Sequence, residues 1–223
     1  MIDSNRLAGV YLLTPDTEGR GFDHVLGVVG EALHVGVRVV QYRDKTADIA
    51  ERHERARRLV ALAHGVGALL IVNDSVDVAI SAGADGVHLG RDDEDAAKAR
   101  SRLPDRLLGV SCYDEFTRAQ LAINAGADAI AFGSMFASIT KPAAVRAPLS
   151  LLTKARSNWP QARVVAIGGI TTGNIEQIAA AGAHAAAVLD AVFGAESPMH
   201  AARSLVQRFE DGRLQYEKQR AAV

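Results

Sequence analysis

The sequence predicts a single (β/α)8 barrel, an α/β fold of eight parallel strands ringed by helices. Three observations predict it: an internal repeat, continuous apolar strands, and length. Three segments are alike, AGADGVHLG at 82–90, AGADAIAFG at 125–133 and AGAHAAAVL at 181–189, and HVGVRVVQYR at 34–43 is a weaker relative. In each, an alanine-rich amphipathic run ends at a glycine (Gly36, Gly83, Gly126 or Gly182) and an apolar run follows. That is a helix closed by a left-handed glycine, a short loop, then a buried strand. Between the repeats lie VYLLT at 10–14, ALLIV at 68–72, LLGVS at 107–111 and VVAIG at 164–168. Continuous apolar strands indicate a parallel sheet covered on both faces. Eight strand-helix units point to a closed barrel, with an open doubly wound sheet as the competing arrangement. The 223 residues suit one such domain.

Taken in order, the strands end in polar residues. The second ends in QYRDK at 41–45, the third in ND at 73–74 and the fourth in HLGRDD at 88–93. The fifth ends in VSC at 110–112, the sixth in FGSMFASITK at 132–141, the seventh in IGGIT at 167–171 and the eighth in LD at 189–190. The closing helix carries an apolar stripe, Ala202, Leu205, Val206 and Phe209, which reads as a docked core face. No linker divides the chain, so residues 1–212 form the barrel, and 213–223 read as a loose polar tail.

The 25 Lys and Arg against 26 Asp and Glu give a net charge of −1, which argues against a basic nucleic-acid binder. One cysteine, Cys112, forms no internal disulfide and fits a reducing compartment. No apolar run has the ~20 residues a membrane span needs, and the N-terminus lacks a signal-peptide pattern. The expectation is a cytoplasmic protein with small-molecule partners, no nucleic acid and no membrane. Association into a homo-oligomer is left open.

In this fold, function sits at the C-terminal ends of the strands. Gln41, Arg43 and Lys45 alternate along a strand and so share the pore side. Two cations and an amide on one edge call for an anion, unless Asp44, Asp74 or Asp93 pairs with them. Asp74 and Asp93, at the ends of neighbouring strands, fit Mg²⁺, which takes few carboxylates plus phosphate oxygens and water. The run Asp92, Asp93, Glu94, Asp95 also reads as an acidic first helical turn. Lys141 ends a small polar loop, 134–141, and the loop reads as a flap over an anion. Its S-x-x-K spacing at 138–141 lacks the partner motifs of serine acyl-enzymes. Gly168 and Gly169 are placed for a backbone phosphate cradle. His88 reads as a core or rim histidine before a general base, and His184 as structural, because the sister repeats carry Asp85 and Asp128 there. Cys112 has no activating partner, and no Cys/His cluster suits zinc. Two anion sites would flank one cavity. That arrangement suits joining two phosphorylated molecules with Mg–pyrophosphate leaving, or an isomerase acting on one bisphosphorylated substrate.

From YLLTPD at 11–16 to about Phe193, the chain resembles the thiamine phosphate synthase family. The resemblance rests on VQYRDK at 40–45, VNDSVDVA at 72–79, GVHLGRDD at 86–93, GVS at 109–111, TK at 140–141 and AIGGIT at 166–171. It implies a (β/α)8 barrel that joins hydroxymethylpyrimidine diphosphate to thiazole phosphate, giving thiamine phosphate and pyrophosphate. By the same resemblance Gln41 meets the pyrimidine, while Arg43, Lys45, Asn73 and Lys141 hold the diphosphate. Ser111 lies beside the pyrimidine and leaving group, and Asp74 and Asp93 bind Mg²⁺. Ser138, Ile139 and Thr140 border the thiazole phosphate, which also meets the backbone at Gly169 and at Leu189–Asp190. Arg43, Lys45, Ser111 and Lys141 are the implied catalytic set. The implied mechanism is dissociative, which agrees with the lack of a protein nucleophile or obvious general base.

Three positions depart from the family pattern. Ser134 stands for a proline and Ser138 for a threonine. Asp190 stands where a serine is usual, beside the thiazole phosphate; turned away to cap the next helix, it would leave its N–H to the phosphate. Two other readings remain. A thiazole tautomerase would not need the QYRDK, ND and Lys141 set. A non-catalytic barrel that only binds a phosphate ligand has Asp190 as its sole support.

Overall fold

The computed structural model describes residues 2–18, 21–137 and 145–222. The strands are β1 (Gly9–Leu13), β2 (Val39–Tyr42), β3 (Leu69–Asn73), β4 (Gly86–Leu89), β5 (Leu107–Tyr113), β6 (Ala129–Phe132), β7 (Arg163–Ile167) and β8 (Ala185–Val188). They close in sequence order, and every pairing is parallel, β8 returning to β1. The ring closes because each strand is apolar on both faces and each connection carries a helix that covers the outer one. The open doubly wound sheet is thereby excluded.

The helices are α1 (Phe22–His34), α2 (Ile49–His64), α3 (Val76–Ala82), α4 (Ala96–Arg102), α5 (Phe116–Asn124), α6 (Ser150–Asn158), α7 (Ile175–Ala180), α8 (Asp190–Phe193) and α9 (Pro198–Ala221). Local chemistry starts several of them. Asp48 and Glu51 form a reciprocal capping box on α2, and Ser75, Asp95 and Ser197 cap α3, α4 and α9. The repeat glycines at 36, 83, 126 and 182 all have positive φ, as a helix stop before a strand requires.

Two cores result. One lies on the barrel axis, built from Tyr11, Leu13, Val39, Leu69, Ile71, Leu107, Val165 and small alanines of β6 and β8. The larger lies between strands and helices and includes Leu12, Val40, Leu70, Leu108, Ile130 and Leu205. Strand alternation therefore decides which residues reach the mouth: those in phase with Tyr11, Val39, Ile71 and Leu107.

The expectation of a loose tail after residue 212 is corrected. The helix α9 runs unbroken to Ala221. Ala202, Leu205, Phe209 and Gly212 are its buried face, and Val206 packs against the Gly36 backbone. A Cβ on Gly212 would lie 2.2 Å from the Glu176 carbonyl, so α9 crosses α7 in near backbone contact. Beyond it, Tyr216 lies against Gly182 and under the Arg156 guanidinium, and Gln215 bonds Glu176. Among the described residues no helix is long and apolar enough to cross a membrane.

Candidate active site

The floor of the barrel mouth is set by register. Leu13 pairs with Gln41, Asn73 with His88, and His88 with Gly109. Gln41 is buried, and its Nε2 donates to the Tyr11 hydroxyl at 2.9 Å. Burial holds that phenol neutral, its pKa well above the ordinary value. Half-buried His88 places Nε2 2.9 Å from Ser111 Oγ. Burial pushes its pKa down to about 4, so the ring is neutral at pH 7. Gly109 makes room for it, since a Cβ there would lie 2.6 Å from His88 Nδ1. His88 is thus a hydrogen-bonded rim histidine, as the sequence suggested, and its partner is Ser111.

Above the floor stand the cations. Arg43 donates from Nη1 to both carboxylate oxygens of Asp16, each at 3.0 Å. The backbone N–H of Lys45 donates to Asp16 Oδ1 at 2.7 Å, and Lys45 Nζ lies 3.6 Å from Asp74 Oδ2. Thr14, two residues before Asp16, bonds both ways with the Arg43 backbone: Oγ1 donates to its carbonyl at 2.8 Å and accepts its N–H at 2.9 Å. The segment after β1 thus moulds the one after β2. Asp44 faces away from the mouth, holding Arg55, the Thr17 and Thr46 hydroxyls and the N–H of Ala47. Of the carboxylates the sequence offered as partners for these cations, only Asp74 takes one; Asp16 takes the other.

Asp74 follows β3 with φ of 65°, a conformation rare outside glycine. Its N–H bonds the His88 carbonyl at 2.9 Å, fixing it beside β4. Burial, and then hydrogen bonding and repulsion from Asp93, raise its pKa to about 6. Two carboxylates sharing one place need either a proton or a cation between them. Asp93 also accepts the Gly90 N–H at 2.6 Å. The acidic run divides its tasks: Asp93 faces the mouth, Asp95 caps α4, and Glu94 pairs with Arg102. Among the described residues no three His, Cys, Asp or Glu side chains gather as metal ligands. A cation at Asp74 and Asp93 would fill its remaining positions with water or phosphate oxygens, the habit of Mg²⁺.

On the far side, Gly168 and Gly169 have φ of 102° and 65°. Added Cβ atoms would strike Ser134 Oγ at 2.3 Å and the Ala137 carbonyl at 2.2 Å. These glycines let residues 134–137 lie flat on the end of β7, where Phe136 N–H bonds the Gly168 carbonyl at 2.9 Å. Ser134 donates its N–H to the Val145 carbonyl and its hydroxyl to the Phe136 carbonyl. Ser138, Ile139, Thr140 and Lys141 lie outside the described residues.

Asp190 departs from expectation. Leu189 occupies the cap position of α8, and Asp190 is an exposed residue of its first turn. Cys112 is buried with its thiol pushed up to about 12, which excludes it as a nucleophile.

Gln41, Arg43, Lys45, Asn73, Asp74, Asp93 and Ser111 therefore gather at one end of the barrel on β2 to β5, and Gly169, Leu189 and Asp190 across it. The residues that sequence reading missed are Tyr11 and Asp16. Tyr11 carries the pore-facing phase of an apolar strand. Asp16 is the first carboxylate after β1 and lies in a loop, outside any apolar strand pattern.

Comparison with known proteins fits this geometry. The family model for thiamine monophosphate synthase matches residues 10–192. A thiamine-phosphate synthase of Halorhodospira halophila is 47% identical over 215 residues, covering 94% of this chain and 98% of its own. One from an Azoarcus species is 48% identical over 198 residues, covering 88% and 95%. Among solved structures, the thiamine phosphate pyrophosphorylase of Pyrococcus furiosus superposes with a TM-score of 0.83 at 33% identity, covering 94% of this chain and 98% of that one. The family model spans the barrel from β1 to α8, and the relatives match at nearly half identity along almost the whole length; this chain belongs to the thiamine monophosphate synthase family.

Proposed function

We propose that this chain is a thiamine-phosphate synthase, a transferase that joins a hydroxymethylpyrimidine diphosphate to a thiazole phosphate and releases pyrophosphate. The observation that carries the reading is the mouth of β2 to β5. There Arg43 and Lys45 face the paired carboxylates Asp74 and Asp93 above a floor of Gln41, His88 and Ser111. A tautomerase acting on the thiazole alone would leave this half without a task.

Gln41 and Ser111 orient the aminopyrimidine, each held by a partner, Tyr11 and His88. Arg43, Lys45 and Asn73 from the mouth, joined by Lys141, take the diphosphate. Asp74 and Asp93 would hold Mg²⁺, which would offset the negative charge of the leaving group. Scission of the C–O bond first, with attack by the thiazole nitrogen second, asks the protein for charge stabilisation and alignment rather than for a base. The neutral His88 and the inert Cys112 suit that demand. Gly169 and the Leu189–Asp190 backbone, with Ser138, Ile139 and Thr140, border the thiazole phosphate. The lone buried thiol suits a cytosolic, reducing setting.

The test is turnover with both substrates and Mg²⁺, thiamine phosphate being read as fluorescent thiochrome. Product should form, and should vanish with EDTA and with Lys141→Ala. Folded protein that gives no product, even as Asp190→Ser, would sink the synthase reading.

A further inference from the structure

Arg43 and Lys45 are already partnered in the protein. Asp16 reaches Arg43 Nη1 with both oxygens at 3.0 Å and takes the Lys45 backbone N–H at 2.7 Å. The carboxylate is half-buried, and Arg43 is only 23% exposed, so water screens this pair incompletely. The contact is also built rather than incidental. Thr14 is 1% exposed and pins the Arg43 backbone with its hydroxyl, while its own N–H bonds the Gln41 carbonyl at 2.9 Å. The chain from Thr14 to Asp16 therefore clamps the second strand's end at three successive odd positions, 41, 43 and 45. A carboxylate held against a guanidinium in this way mimics the anion that the guanidinium is there to receive.

We propose that Asp16 is a built-in counter-anion: it sets Arg43 and Lys45 in place before the diphosphate arrives, then competes with phosphoryl oxygens for Arg43, weakening the grip on pyrophosphate. This rests on the proposed synthase reading, in which pyrophosphate is the leaving product. The chemistry explains why such a group is useful. Several cations around one polyanion favour tight product binding, and tight product binding slows turnover. A fixed negative charge about 4–6 Å from the anion lowers that affinity without removing the cations that stabilise charge during bond scission.

The experiment compares Asp16→Asn and Asp16→Glu with the unaltered protein. Inorganic pyrophosphate is titrated calorimetrically, once with Mg²⁺ and once with EDTA, and kcat and KM are measured beside it. Asparagine keeps an acceptor for the Lys45 N–H but loses the charge. Asp16→Asn should bind pyrophosphate on the order of tenfold more tightly in both buffers, with kcat lowered by slow release. Asp16→Glu keeps the charge and should stay within about threefold of the unaltered protein. Unchanged or weaker binding in Asp16→Asn would overturn the proposal. So would equal tightening in Asp16→Glu, which would make the effect one of shape. Melting curves confirm that each variant is folded. Tighter binding by Asp16→Asn in a protein that makes no thiamine phosphate would leave Asp16's role standing and remove the synthase reading. Turnover without any tightening would do the reverse.

Discussion

Asp85, Asp128 and His184 stand at the same place in three repeats, just before β4, β6 and β8. Each accepts a backbone N–H of the neighbouring strand, from Leu70 at 2.7 Å, Leu108 at 2.8 Å and Val164 at 2.9 Å. Each also gives its own N–H to the carbonyl of that same residue at 2.8 Å. Asp85 is further paired with His64 and Asp128 with Arg100. At the opposite end of the barrel, Asp16, Asp74 and Asp93 bond mainly to cations and to one another, on a backbone that reaches φ of 65° at Asp74. The two ends use the same residue types differently. Polar groups at the N-terminal end staple strands together. Those at the C-terminal end turn their side chains to cations and to one another across the mouth, as a site requires and stability does not.

The sharpest way to break this contrast is Arg43→Ala. Arg43 belongs to the C-terminal end, where its loss removes charge stabilisation and one rim ion pair with Asp16. Activity should fall about 100-fold or more. Melting should shift by only a degree or two, because a partly exposed ion pair contributes about 1 kcal/mol or less. Activity within tenfold of the unaltered protein would remove Arg43 from the machinery.

Asp128→Ala makes the opposite test. It strands the Leu108 N–H inside the sheet and leaves Arg100 without its carboxylate. The cost should be about 2–3 kcal/mol of stability. That corresponds to a melting point lower by about 5–10 °C. Turnover per folded molecule, measured well below the transition, should not change. A loss of kcat at that temperature would mean that the N-terminal end also shapes the site.

The contrast also explains how far the sequence could be read. All eight strands were legible, because the repeat marks four of them and apolar runs mark the others. Gln41, Arg43, Lys45 and Asp74 were legible because each stands at or just beyond the end of an apolar strand. Asp93, four residues past β4, carried a helix-start reading beside the metal one, and Ser111 was singled out by the family resemblance alone. Asp16 was not. It follows a proline in a loop, and only the fold brings it to Arg43, 27 residues on. The stripe of Ala202, Leu205, Val206 and Phe209 was legible as a docked face, but the docking of α9 beyond Phe209 was hidden for a related reason. Its closest contact is made by Gly212, whose missing side chain carries no apolar signal, and by Tyr216 against a glycine of a distant repeat. Asp190 illustrates the limit of phase: one residue separates a cap from a first turn, and sequence pattern does not resolve helix ends that finely.

His184 offers the subtlest test, because it is the one staple that is not a carboxylate. Its Nδ1 accepts the Val164 N–H, so the ring must be neutral at that nitrogen. Burial first, and then the charges of Arg156 and Arg163, push its pKa from 6.5 down to about 3. In the unfolded chain the imidazole takes a proton near pH 6.5. Between those values the unfolded state binds more protons than the folded one, so stability rises with pH there. The contribution is complete above pH 6.5 and is lost progressively as pH falls toward 3. His184→Asp would restore the residue of the sister repeats. An aspartate Oδ, like Nδ1, is attached directly to Cγ, so it can take the same N–H, and the two arginines that disfavour imidazolium favour a carboxylate. At pH 8 the two proteins should melt within about 2 °C of each other. By pH 4.5 the variant should be ahead by about 2 kcal/mol, several degrees in melting temperature. Parallel melting curves from pH 8 to pH 4.5 would mean that the imidazole does not titrate in this window, and that the third staple bears no acid cost the other two lack.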